Sequence, residues 1–256
     1  MSLVFDLYVP GRSWLHKLDP RVKLWGVVVG IVMAFVLPYA PVQALLLAGI
    51  HALLLLAGIP WRTLRSVWRQ MAVLVVILLL LQPFFKPEGA LLLAAGPLRL
   101  TLGGLYGAVL LALRALVIAF IAGGLLFTTE QGALVRAFVR LGFPYTWGLT
   151  ISLTLRFLPA IQNLFVVVRD AQAARGWVVE GNFFRRLREY LPVLIAVIIG
   201  TLRMSDQLTL ALAARGLGAA HGRTVWHDLR MRRADWFAAV GLTLLLAGLL
   251  WRRLAP

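Results

Sequence analysis

From Gly103 to Phe127 the chain carries a single charged residue, Arg114. A helix rises about 1.5 Å per residue, so this stretch exceeds the roughly 30 Å hydrocarbon core of a bilayer and must tilt or bend to fit. Further apolar runs cover residues 22–37, 42–59, 71–85 and 234–250. In lipid, every backbone N–H and C=O must be paired within the protein, which leaves helices and closed barrels as spanning solutions. A barrel would alternate apolar and polar residues in short strands. The runs here are long and unbroken, so the expected fold class is an all-α integral membrane protein, with about five transmembrane helices.

Composition agrees. Of the 256 residues, 61% are hydrophobic and 14% charged, against about 45–50% and about 25% in soluble domains. The net charge is +16. In a soluble protein that balance would suggest nucleic acid. Here the basic residues flank apolar runs, which fits positive-inside topology and contact with anionic membrane lipid. There is no cysteine, which excludes disulfides and thiolate metal sites. The first twenty residues hold Asp6, Asp19 and two prolines without a long apolar core, unlike a cleavable signal peptide.

Punctuation along the chain sets the expected organisation. Asp19 suits the N-cap of the first span and Pro20 its first position. Pro38-Tyr39-Ala40-Pro41 reads as a tight turn. Residues 60–69, with Arg62, Arg65, Arg69, Trp61 and Trp68, read as an interface segment with aromatic anchors. Lys86 to Leu100 reads as a loop whose apolar middle, Ala90 to Ala95, dips into the membrane. From residue 130 to 233 arginine is dense and lysine absent. Three regions are therefore expected: a bundle of four spans over 1–128, a cytoplasmic-side coupling region over 129–233, and a last helix over 234–256. The N-terminus falls on the cytoplasmic side by the same charge rule.

One motif occurs twice, as Ala173-Ala174-Arg175-Gly176 and Ala213-Ala214-Arg215-Gly216. The first closes a helical segment from about Tyr145, interrupted at Pro159; the second closes one from about Arg188, with Pro192 near its start. Glycine is the usual residue just past a helix end, and a cation there suits the helix dipole. Two well-capped helices would suffice to explain this. The alternative is a docking device, in which small alanines admit a partner's backbone and arginine offers its five-donor fork to a carboxylate.

These residues carry a resemblance to the transmembrane T subunits of energy-coupling factor transporters, the family that includes the permease subunits of biotin and cobalt transporters. It covers nearly the whole chain. It includes Leu15-His16-Lys17-Leu18-Asp19-Pro20-Arg21-Val22-Lys23-Leu24, Phe127-Thr128-Thr129, Leu141-Gly142-Phe143-Pro144 and Leu155-Arg156-Phe157-Leu158-Pro159. Its most specific parts are the two stretches 170–176 and 210–216. Ala213 stands where the family often has a charged or larger residue. The resemblance implies a subunit joining two ABC-type ATPase subunits to a small membrane-embedded substrate-binding S subunit that takes up a vitamin or transition-metal ion. It implies that Ala174, Arg175, Gly176, Ala214, Arg215 and Gly216 dock on the ATPases. It implies that the coupling helices around Arg156, Pro159 and Pro192 face the S subunit, with Asp19, Pro20, Arg21 and Lys23 as the N-terminal motif. The setting implied is the cell membrane.

No catalytic motif, cofactor or metal site is expected. There is no P-loop, and His16, His51, His221 and His227 are scattered. An enzyme acting on lipid would need clustered carboxylates or a Ser/His pair, and the acidic residues are spread thin; a pure scaffold would leave the twin arginines without a purpose. Arg114 is either a functional intramembrane charge or one that snorkels or pairs within the bundle. Arg156 is expected to find an ion pair or a lipid phosphate, and Asp170 and Asp206 to pair with nearby arginines. Gly103-Gly104 and Gly123-Gly124 are expected to permit close helix packing.

Overall fold

The computed structural model describes residues 8–11, 13–85, 90–95, 98–177, 182–218 and 231–254. The chain divides into two compact units, one of Met1–Gly142 with Leu229–Pro256 and one of Phe143–Asp228.

The first unit begins with a single turn, α1 (Trp14–Lys17). Then follow α2 (Pro20–Val36), α3 (Ala40–Leu56) and α4 (Trp61–Leu81), which tightens into a 3-10 turn at Gln82–Phe84. Two strands, β1 (Leu91–Ala95) and β2 (Leu98–Thr101), lead into α5 (Leu102–Thr128) and α6 (Gln131–Arg140); α9 (Arg233–Leu254) returns to this unit. Helix α5 is the axis. It packs against α2, α3 and α4, while α9 packs on α2. Its Ala108, Ala112, Leu116, Val117 and Phe120 are buried. Close approach is bought by missing side chains: a Cβ on Gly30 would stand 2.7 Å from Ile121, and one on Gly124 would stand 3.0 Å from Leu54. The second glycine pair therefore does serve packing.

The outer surface is greasy. Leu45, Leu56 and Phe237 are more than 70% exposed, which suits lipid and not water. Among the described residues five helices are long and apolar enough to cross a membrane: α4 with its 3-10 extension, α5, α7, α8 and α9. The first two expected spans are shorter, at 17 residues each in α2 and α3.

Within the stretch read as a dipping loop, Leu91–Ala95 and Leu98–Thr101 pair as antiparallel strands, with Leu93 opposite Leu100 and Ala95 opposite Leu98, while residues 86–89 and 96–97 lie outside the described residues. Two short apolar runs separated by Gly96-Pro97 pair with each other, which satisfies their backbone groups locally. The fold is otherwise helical among the described residues.

The second unit is a helix pair, α7 (Tyr145–Ala174) and α8 (Phe183–Ala214). Both helices run through their prolines, Pro159 and Pro192. The interruption expected at Pro159 is therefore absent. A proline removes one N–H from the ladder without ending the helix when the flanking turns hold. Val193 is buried, and a Cβ on Gly200 would lie 2.8 Å from Leu164.

Candidate functional site

The two Ala-Arg-Gly tips have the same backbone. Arg175 caps α7 at φ −88°, ψ 11°, and Arg215 caps α8 at φ −88°, ψ 10°. The next residues, Gly176 and Gly216, take φ of +85° and +78°. At the first tip Trp177 N donates to Gln172 O at 3.1 Å and Gly176 N to Ala173 O at 3.0 Å; at the second, Leu217 N donates to Leu212 O and Gly216 N to Ala213 O, both at 2.9 Å. These paired bonds are the Schellman closure of a helix end. A Cβ on either glycine would meet nothing within 4 Å. Glycine is thus required by its positive φ and not by crowding.

Both arginines and the alanines beside them are exposed. Among the described residues neither Arg175 nor Arg215 has an ion-pair partner. Each side chain stands at the negative end of a helix dipole with all its donors available to another molecule.

The tips are not brought together. Trp177, at the first tip, donates from its indole Nε1 to Glu189 O at 2.8 Å and packs edge-on against Tyr190, with ring centroids 5.1 Å apart. Leu164 meets Gly200 further along. The helices are therefore antiparallel. The first tip lies beside Tyr190, while the second lies at Arg215. At about 1.5 Å per residue, the tips stand on the order of 35–40 Å apart along α8.

Other residues of this unit are plainer. Arg156, Pro159 and Pro192 are exposed, and Arg156 has no ion-pair partner among the described residues. Asp170 pairs with Arg169 at 2.8 Å on the surface, a contact worth about 0–1 kcal/mol. Asp206 has no ion pair among the described residues.

The N-terminal motif is a buried hub of helix ends in the first unit. Asp19 is the N-cap of α2, and its Oδ1 accepts from Arg21 N at 2.9 Å, with Pro20 in the first turn. Asp235 is 3% exposed. Its Oδ1 accepts from Asp19 N at 2.9 Å and its Oδ2 from Arg232 N at 2.7 Å. One carboxylate thereby serves the N-termini of both α2 and α9, where negative charge is favoured. The Lys23 ammonium donates to Thr128 O at 2.8 Å, to Thr129 Oγ1 at 3.1 Å and to His16 O at 3.3 Å. Thr128 ends α5, where a cation is favoured. His16 is itself held by Ser13 Oγ and Val9 O. Asp235 was missed by sequence reasoning. The stretch Arg232-Arg233-Ala234-Asp235 lacks the Ser or Thr of a capping box, so its only signal is an acid at the mouth of an apolar run.

Arg114 pairs within the bundle. Its Nε donates to Ala34 O at 2.9 Å, and its guanidinium lies 5.0 Å from the centre of the Phe35 ring. Gln43 joins it, donating to Ala34 O and Leu37 O. Together they satisfy Ala34 O and Leu37 O at the C-terminal end of α2. No group of three or more metal-ligating side chains occurs among the described residues; His221 and His227 lie outside them.

Long apolar helices, a greasy surface and two exposed helix tips define a multi-pass membrane protein. The profile of the CbiQ family, cobalt transport proteins, matches residues 11–225. The chain is 30% identical over 261 residues to the energy-coupling factor transporter transmembrane protein EcfT of Listeria innocua, covering 98% of each. It is 31% identical to that of Streptococcus equi, covering 95% of this chain and 94% of the other. The chain belongs to this family of transmembrane components of energy-coupling factor transporters, which are not catalytic. It is also 31% identical, over 94% of its length, to 32% of an ABC transporter ATP-binding protein of Bifidobacterium longum.

Proposed function

We propose that this chain couples ATP hydrolysis by two ABC-type ATPase subunits to uptake of a vitamin or transition-metal ion through a membrane-embedded S subunit. The observation that carries this reading is the pair of tips, alike in backbone to within a degree at their arginines and held far apart. One partner with one socket does not need two such tips; two copies of one ATPase do. The match to part of an ATP-binding protein supports an ATPase as the partner.

In this reading the region 129–233 is the coupling region, on the cytoplasmic side with the N-terminus, as the arginine distribution favours. Ala174, Arg175 and Gly176 dock on one ATPase and Ala214, Arg215 and Gly216 on the other. The exposed apolar faces around Arg156, Pro159 and Pro192 contact the S subunit. When the ATPases close, the tips move and the helix pair passes the motion to that subunit, which releases its substrate inward. Substrate choice rests with the S subunit.

Arg175→Ala and Arg215→Ala test this. Both side chains are exposed, so the fold should stand. Loss of a charge-assisted contact at a buried interface costs about 2–5 kcal/mol, so each variant should lose ATPase on purification and the double variant should lose uptake. Normal co-purification and uptake in the double variant would overturn the assignment.

A further inference from the structure

A cavity of about 600 Å³ opens between α3 and α4 in the first unit. On α3 it is lined by Ala44, Leu47, Ala48 and His51, which fall at i, i+3, i+4 and i+7 on one helix face. On α4 it is lined by Trp61, Arg65 and Trp68, at i, i+4 and i+7. The two small alanines make the hollow. Trp61 and Arg65 sit in the opening turns of α4, while Ala44 sits deep along α3, with Leu113 of α5 also on the wall. The space is therefore charged at one end and apolar at the other.

Its floor is preformed. A carbonyl only accepts and an indole N–H only donates, so His51 gives its Nδ1 proton to Leu47 O at 2.8 Å and receives Trp68 Nε1 on Nε2 at 3.0 Å. The imidazole also lies 4.2 Å from the Phe120 ring, centre to centre. Both ring nitrogens are thus committed, which removes His51 as a metal ligand and makes it a wall.

The mouth is electrostatically one-sided. Arg62, Arg65 and Arg69 recur at i, i+3 and i+7. The first turn of α4 holds no acid, and among the described residues none of these arginines has a carboxylate partner. An unneutralised Arg65 on the wall of an apolar hollow, with Arg62 and Arg69 further along the same basic helix, complements an amphiphile with an anionic head. Basic pockets between spans bind acidic lipid headgroups by this logic.

We propose that the α3–α4 cavity is a binding site for one anionic phospholipid, with its phosphate on Arg65 between Trp61 and Trp68 and an acyl chain along Ala44, Ala48 and Leu113. The test uses the full transporter, delipidated in detergent, with dioleoylphosphatidylglycerol or dioleoylphosphatidylcholine added and bound lipid counted by native mass spectrometry. The glycerol lipid should be retained over the choline lipid. Arg65→Gln should weaken its retention by about fivefold to tenfold. Ala48→Leu, which fills the hollow and leaves the charge, should weaken it as well. Arg252→Gln, an exposed arginine elsewhere, should not. Equal retention of the two lipids overturns the proposal, as does full retention in either cavity variant. Competition by glycerol 3-phosphate as strong as by the lipid would show a bare anion site and overturns it too. So would a cross-link from Ala48→Cys, in a chain that has no other cysteine, that captures a protein instead of lipid. If Arg65→Gln fails to fold, Ala48→Leu carries the test alone.

Discussion

Replacing Lys23 with methionine keeps most of the side chain's length and removes its ammonium group from the hub. The Nζ bonds at 2.8 Å to Thr128 O and 3.1 Å to Thr129 Oγ1 are lost, and the 3.3 Å bond to His16 O is too long to count for much. Thr128 and Thr129 are 2% and 4% exposed, so water cannot take the ammonium's place. A buried acceptor stripped of its donor costs about 1–3 kcal/mol. The carboxylates of Asp19 and Asp235 also lose a nearby cation, though neither forms an ion pair with it. Two acceptors are stripped and their costs overlap, so about 2–5 kcal/mol is expected. At about 2–4 °C per kcal/mol for a chain of this size, the purified complex should melt roughly 10 °C lower. Tryptophan fluorescence during a thermal ramp in detergent reads this directly. A shift below about 2 °C would refute the view that Lys23 ties the end of α5 to α2.

Asp235→Asn should keep one acceptor for Asp19 N and turn the other oxygen into a donor facing Arg232 N; the same melt should show a loss of about 1–3 kcal/mol. Combined with Lys23→Met it should cost less than the sum of the two, because the pair belongs to one network. Gly216→Ala puts a Cβ on a residue at φ +78° with nothing nearby. It should loosen the α8 tip by about 1 kcal/mol and weaken ATPase co-purification with Arg215 intact. Gly49→Ala, on the exposed face of α3 with equally open space, should instead raise the melting temperature slightly, by about 0.5–1 kcal/mol of stability.

Contacts made within a turn or two were legible from the residues alone. Asp19 with Pro20 marks the start of α2, and Gly176 and Gly216 mark the ends of α7 and α8, because a cap is satisfied by groups a few positions away. The long apolar runs likewise declared a membrane solvent, since hydrophobic surplus is a property of composition. Where local signals conflicted, reading failed. Two apolar runs around Gly96-Pro97 looked like a dipping loop and pair as antiparallel strands. Pro159 looked like a break and is absorbed by its helix.

What the tertiary structure decided is which distant groups meet. Asp235 accepts from a residue 216 positions away and Lys23 donates to residues 105 and 106 positions away. Arg114 finds the end of α2, 80 positions back. No periodicity encodes such pairings. They follow from helix ends being carried beside new partners by the packing of α2 on α5 and of α9 on α2, where their open N–H and C=O groups, starved of water, take whatever charge lies within reach. The same holds for the two tips. Their likeness is written in the sequence, but their separation comes from the antiparallel packing of α7 on α8.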